Sequence, residues 1–186
     1  MLRRTQKEQY GRLPSGKVFK DMMERDFPVT STMLIRKEVF DTVGFFDTRL
    51  EVCEDWEFKI RISKSYEFAA VDEPLIYYRL HAGGTHYKCE KMLECGYKVF
   101  DTHVRSLEAS GPANGEILSL KANIALNLAG SWLYIDRTRQ AREYLRESMK
   151  FDKKNPRLYL MYLLSLLPKG ARDLALAARD RIPFLP

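Results

Sequence analysis

The 186-residue chain has no long apolar run, no cysteine-pair motif and no hydrophobic leader, and each absence excludes something. Its longest greasy stretch, Leu158–Leu167, covers ten positions, whereas a helix that crosses a bilayer needs about 20. The basic opening MLRRTQKEQYGR is followed by no apolar h-region, so no secretory signal is read there. Cys53, Cys89 and Cys95 are odd in number and form no CxxC, which points to a reduced, cytoplasmic setting. What the chain does have is the balance of an ordinary globular protein: 45% hydrophobic and 30% charged residues, with aromatics enough for a core. A net charge of +6 permits phosphates, anionic lipid or nucleic acid as partners without choosing among them. Arg3, Arg4, Lys7 and Arg12 accompany no nucleic-acid motif, and basic residues elsewhere alternate with acids, so no nucleic-acid partner is expected.

Taken in order, residues 1–16 form a polar, basic arm. Val18, Phe19, Met22 and Met23 predict a helix from about Gly16 to Arg25, and Pro28 forbids its continuation. Ser31–Ile35 (STMLI) has the composition of a short strand, and Lys37–Val43 that of a helix closed by Gly44. The turn Gly44-Phe45-Phe46-Asp47 carries two aromatics, expected to plug against a sheet. From Asp55 to Ser63 the spacing is helical on two faces, Trp56 with Ile60 and Phe58 with Ile62, as in a helix held between layers. Glu51, Glu54, Asp55 and Glu57 gather at its first turn, where the helix dipole tolerates them, and Lys59, Arg61 and Lys64 trail toward the other end. Tyr66–Val71 and Leu75–Leu80 predict two further strands around the break Asp72-Glu73-Pro74, which makes an α/β unit.

Beyond about Tyr87 the composition is helical through Arg105, and Gly111–Gly115 (GPANG) is the clearest linker. Glu116–Tyr134 and Arg137–Lys150 predict an antiparallel helix pair. Its spacing of Leu128, Ala129, Trp132, Ala141, Leu145 and Ser148 resembles one tetratricopeptide repeat, with no second copy following. Tyr159–Leu167 and Ala171–Arg181 predict two more helices. The first is apolar nearly all round, as befits burial against the hairpin or contact with a membrane surface.

The paired acids Glu54-Asp55 are the best-placed chemistry in the chain. A carboxylate at a helix start beside a loop suits proton abstraction from a substrate hydroxyl, or orientation of a metal-bound diphosphate. Acids at a helix start also serve as ordinary caps, and the pattern alone leaves both roles open. If strand 75–80 lies beside the helix, Arg79 and His81 meet Asp55 in one cleft.

The stretch from Thr30 to His81 resembles the second half of the catalytic domain of family 2 glycosyltransferases, inverting enzymes of the GT-A fold. The resemblance rests on STMLIR (Ser31–Arg36) as a strand ending in arginine, and VGFFDTRL from Val43 as a GGFDE-like turn. It continues with Glu54-Asp55-Trp56 as an EDW motif, Asp72-Glu73-Pro74-Leu75 as DEPL, and Tyr78-Arg79-Leu80-His81 as YRxH. By that resemblance Asp55 is the general base toward the acceptor hydroxyl, and Glu54 shapes the acceptor or metal side. Trp56 packs the motif or faces the acceptor ring, while Arg79 and His81 sit near the diphosphate and a divalent metal, Mg or Mn. Nucleotide-sugar and a glycan or lipid-linked acceptor are the implied partners, and polysaccharide biosynthesis at the inner face of a membrane is the implied setting.

The resemblance also implies what is not in view. The family holds its donor with an N-terminal βαβ half ending in a DxD motif, and no DxD occurs upstream of Ser31. The expectation is therefore an α/β, partial GT-A-like nucleotide-diphospho-sugar transferase domain lacking its N-terminal half, followed by an α-helical tail. Residues 1–110 form the acceptor-side part and 111–186 the tail with one tetratricopeptide-like hairpin. Such a chain is expected to be inactive alone and to need an N-terminal half or protein partner, with peripheral membrane contact through the C-terminal helices. Two rivals stand beside it. A zinc site drawn from His81, His86, Cys89 and Cys95 lacks the paired spacing of secure sites. A non-catalytic helical interaction module would place Trp132 or Tyr144 in an exposed groove.

Overall fold

Helices form where apolar residues recur every three or four positions, and the β-branched stretches between them find no partner strand. The computed structural model describes residues 13–71, 73, 75–77, 89–111 and 115–179. Among these the protein is all-helical, with no strand and no sheet, which overturns the α/β, GT-A-like expectation. The predicted strand Ser31–Ile35 is instead a 3₁₀ turn at Thr30–Thr32 followed by unpaired extended chain, with Leu34 fully exposed. Tyr66–Val71 makes one isolated antiparallel bridge, in which Gly16 and Phe68 exchange hydrogen bonds of 2.7 and 2.9 Å. Leu75, Ile76 and Tyr77 are exposed and irregular, and residues 78–80 lie outside the described residues. Extended backbone becomes a strand only when a neighbour takes up its N–H and C=O groups.

The chain divides into two compact units, residues 1–101 and 102–186. In the first, α1 spans Phe19–Glu24, α2 spans Lys37–Val43 and α3 spans Glu54–Ser65. Helix α4 (Cys89–Ala109) begins in this unit, and the division falls within it. Gly44 closes α2 at φ 82°, the left-handed conformation that a side chain disfavours. Helix α3 is buried on more than one face, as its sequence implied, through Phe58, Ile60 and Ile62. Val39, Phe58 and Ile62 form a core against which Ile35, Phe40, Val43, Tyr66 and Phe68 pack. The aromatics of the turn, expected on a sheet, stack on helices instead. Phe45 lies on Phe40 at 5.4 Å and Phe46 on Phe58 at 4.8 Å between ring centroids.

In the second unit α5 (Gly115–Tyr134) and α6 (Thr138–Phe151) form a hairpin through a turn where Asp136 has φ 64°. Ala129, Ala141 and Leu145 are wholly buried, small against large, and the buried Ser148 Oγ donates to the Ala122 carbonyl at 2.7 Å. Trp132 is buried and stacks on Tyr144 at 6.4 Å. Helix α7 (Pro156–Leu166) starts under the Asn155 side chain, which accepts the Arg157 N–H at 3.0 Å, with Pro156 in the first turn where its missing N–H costs nothing. Helix α8 (Lys169–Arg179) follows, tied back by the buried Arg172, which pairs with Asp136.

Candidate active site

Asp55 is the second residue of α3, and everything around it derives from how that helix starts and where it is pinned. Cys53 caps the helix in a left-handed conformation (φ 63°), turning the chain abruptly from the preceding loop into α3 without a side-chain cap. Four residues of that loop, two of the helix and Thr30 then share one opening. An open cleft of about 360 Å³ is lined by Thr30, Phe46, Asp47, Thr48, Leu50, Glu54 and Asp55. The paired acids therefore face space large enough for a small polar group.

The Asp55 carboxylate is held at both oxygens. Oδ1 accepts the Trp56 backbone N–H at 2.8 Å, and Oδ2 accepts the Thr30 hydroxyl. Lys59, one turn along α3, brings its ammonium to 3.4 Å from Oδ2. That ammonium is only 1% exposed, and it also contacts Asp26 Oδ1 at 2.5 Å and donates to the Pro28 carbonyl at 3.0 Å. A buried ammonium needs acceptors for its protons, and here two carboxylates and a carbonyl take them. Burial pushes the Asp55 carboxyl up, but the Thr30 hydrogen bond, the Lys59 charge and the Trp56 N–H together outweigh it, and the group rests below its ordinary value. Asp26 moves the other way: burial raises it, Lys59 opposes, and the negative charges of Asp55 and Glu54 add to the rise. One cation serves two acids, the Asp55 carboxyl lowered and the Asp26 carboxyl raised.

Trp56 faces inward, away from an open ring-stacking position. Its indole Nε1 donates to the Met22 carbonyl at 2.6 Å, which ties α3 to α1. Its six-membered ring lies on Gly96 of α4, where an added Cβ would come within 3.0 Å of Cζ3. Arg61 secures the cleft's other wall. It takes Glu57 at 2.7 Å, donates to the carbonyls of Val43 and of Phe45 (2.6 Å), and lies over the Phe58 ring at 5.2 Å. Asp47 is fixed locally, accepting from the Arg49 backbone and guanidinium, which lowers its carboxyl to about 2.

Of the residues singled out from sequence, Glu54 and Asp55 line the cleft together and Trp56 anchors the helix behind them. Arg79, His81 and His86 lie outside the described residues, so their approach to Asp55 is not described. Cys95 donates to the Val52 carbonyl at 2.9 Å, and Cys53, half-buried and beside Cys95, has its thiol pushed up to about 12 by that burial. Cys53, so raised, is not the acidified thiol of a reactive site. Sequence reasoning missed Thr30, Asp26 and Lys59. Only Lys59 left a signal, its i,i+4 spacing from Asp55 inside the apolar run Phe58–Ile62.

The described residues lack the donor set that a divalent metal needs. No group of three or more His, Cys, Asp or Glu among them could hold an ion, and the place between Asp26 and Asp55 is filled by the Lys59 ammonium. The described side of the cleft does not fit a metal, and no step below runs through one.

The family model described as "Glycosyltransferase like family 2" fits residues 12–151. No curated protein and no solved structure matches.

Proposed function

The chain belongs to the glycosyltransferase-like family 2, and from that premise we propose that it serves the acceptor side of an inverting sugar transfer with Asp55 as general base. The observation that carries this reading is the ionised Asp55 carboxylate on the wall of an open cleft. Oδ1 accepts one backbone N–H and keeps acceptor capacity for a substrate hydroxyl. In the proposed step the hydroxyl proton passes to Asp55 as the hydroxyl oxygen bonds to the anomeric carbon. The bond from that carbon to the nucleotide diphosphate breaks on the opposite face, and its electron pair leaves with the diphosphate. A carboxylate of lowered pKa is a weak base, which suffices because the hydroxyl becomes strongly acidic only as its oxygen joins the electron-poor carbon. Lys59 and Thr30 hold the carboxylate ionised and fixed in orientation, which is positioning rather than proton transfer.

In this reading Glu54 contacts the acceptor and Trp56 packs the motif. Residues 1–110 act as the acceptor-side part and 111–186 as a helical tail. Arg79 and His81 belong to the donor diphosphate side, where a divalent metal, Mg or Mn, would stabilise the leaving group. We further propose that donor binding needs a segment or partner other than the described residues, so that these alone do not turn over nucleotide-sugar. The competing interaction module is left with Tyr144 alone for its groove, since Trp132 is 3% exposed and packed on Tyr144.

The test is product formation by the full-length gene product with a panel of nucleotide-sugars, glycan or lipid-linked acceptors and either metal. Asp55→Asn keeps an acceptor for the Thr30 hydroxyl and removes the base. It is expected to cut turnover by about 10³-fold with KM for the donor little changed. Retention of more than a tenth of the wild-type rate would remove Asp55 from the chemistry.

A further inference from the structure

Helix α7 is apolar on two opposite sides, and only one of them is used. At 100° per residue Leu158, Met161 and Ser165 fall together, and all three are buried. On the other side Tyr159, Leu160, Leu163, Leu166 and Leu167 form a continuous outward stripe, with Leu163 62% and Leu166 60% exposed. The stripe runs the length of a helix about 16 Å long. Exposed apolar surface of that continuity marks a contact site.

Charge around the stripe selects its occupant. Of the basic residues from 153 to 179, Lys153, Lys154 and Lys169 are exposed, Lys169 lying 3.8 Å from Asp136, whereas Arg172 is buried on that same acid. Within α7 itself there is no acid. Lys153 and Lys154 are exposed immediately before the helix, and Tyr159 Oη donates to the Lys153 carbonyl at 2.7 Å, which fastens that end to the stripe. Lys169, about two-thirds exposed, stands just past the other end. Leucines of uniform length with ammonium groups at both ends match an anionic bilayer, where acyl chains take the leucines and lipid phosphates take the lysines. A protein groove would call for a shaped anchor or paired polar groups, and the stripe offers neither. No described helix is long and apolar enough to cross a membrane, so the contact lies in the surface plane.

We propose that the outward face of α7 docks this chain, reversibly, on anionic phospholipid. The proposal is independent of the role given to Asp55. Its test is co-sedimentation of the full chain with phosphatidylcholine vesicles with and without phosphatidylglycerol. Binding is expected on the anionic vesicles alone, weakened by salt, and lowered about tenfold or more by Leu163→Asp/Leu166→Asp and by Lys153→Glu/Lys154→Glu. Both pairs are exposed, and unchanged circular dichroism would show that the variants fold. Wild-type binding that the leucine variant leaves intact would overturn the apolar seating. No vesicle binding, together with a concentration-dependent dimer that the leucine variant abolishes, would assign the face to a second copy of the chain.

Discussion

The two units of this chain are stabilised in different ways. In residues 102–186 the hairpin is held by fit: alanines under leucines, a serine hydroxyl on a backbone carbonyl, an indole on a phenol. In residues 1–101 the short helices are pinned by single polar anchors: Lys59 on Asp26, Asp55 and Pro28, Trp56 on Met22, and Arg61 on Val43, Phe45 and Glu57. The contrast teaches where chemistry is affordable. A hairpin knit by many small contacts spreads its stability over them, and the buried Arg172 beside it serves to tie α8 to Asp136. A unit hung on a few buried ions is fragile at each of them and keeps a carboxylate ready.

The two tryptophans, Trp56 and Trp132, lie one in each unit, so the contrast can be broken experimentally. Lys59→Met should have the largest effect. It leaves Asp26 and Asp55 facing each other without their cation, and a loss of about 3 kcal/mol is expected, the low end for a broken buried pair because Asp26 still reaches water. Urea unfolding followed by Trp56 in a Trp132→Phe background should register it. An equal loss in the Trp132 signal of a Trp56→Phe background would dissolve the distinction between the units.

Next comes Ala129→Leu, which forces a larger side chain into a position with no exposed surface. Overpacking should cost about 2 kcal/mol, read from Trp132 and not from Trp56. A neutral result would mean that the hairpin has slack its burial does not reveal.

Smallest is Arg49→Ala at the rim of the cleft. The Asp47 carboxyl rests at about 2 against an ordinary 3.8 because Arg49 bonds it, so the stabilisation is complete above pH 3.8 and is lost as pH falls through about 2. Carbon-13 titration should show Asp47 returning to its ordinary range in the variant, with only a small drop in thermal midpoint at neutral pH, since the pair is solvated. Asp55, also lowered, follows the same sign, and its contribution too is lost only toward acid pH.

How much of this was legible in the sequence follows from what each kind of contact needs. Helices α2, α3, α5 and α6 lie within a residue or two of where periodicity set them, because their spacing reports burial along one short segment. Strands were expected at Ser31–Ile35 and Tyr66–Val71, yet a strand is decided by a neighbour far along the chain, and β-branched composition carries no information about that neighbour. Glu54 and Asp55 were visible as acids at a helix start. For Lys59 the sequence offers only a charge trailing toward the helix's far end, since nothing local says that Asp26 and Pro28 fold over it from a separate loop.

Lys59 has one more consequence, for how this protein is handled at the bench. Its counter-charge to Asp55 is covalently attached and sealed from water, so dialysis, chelation or added salt cannot strip it away. EDTA should therefore leave the Asp55 carbon-13 shift unmoved. If EDTA nevertheless stops turnover by the full-length gene product, the lesion belongs to the diphosphate's half of the reaction, and a common reagent becomes a way to tell the two halves apart.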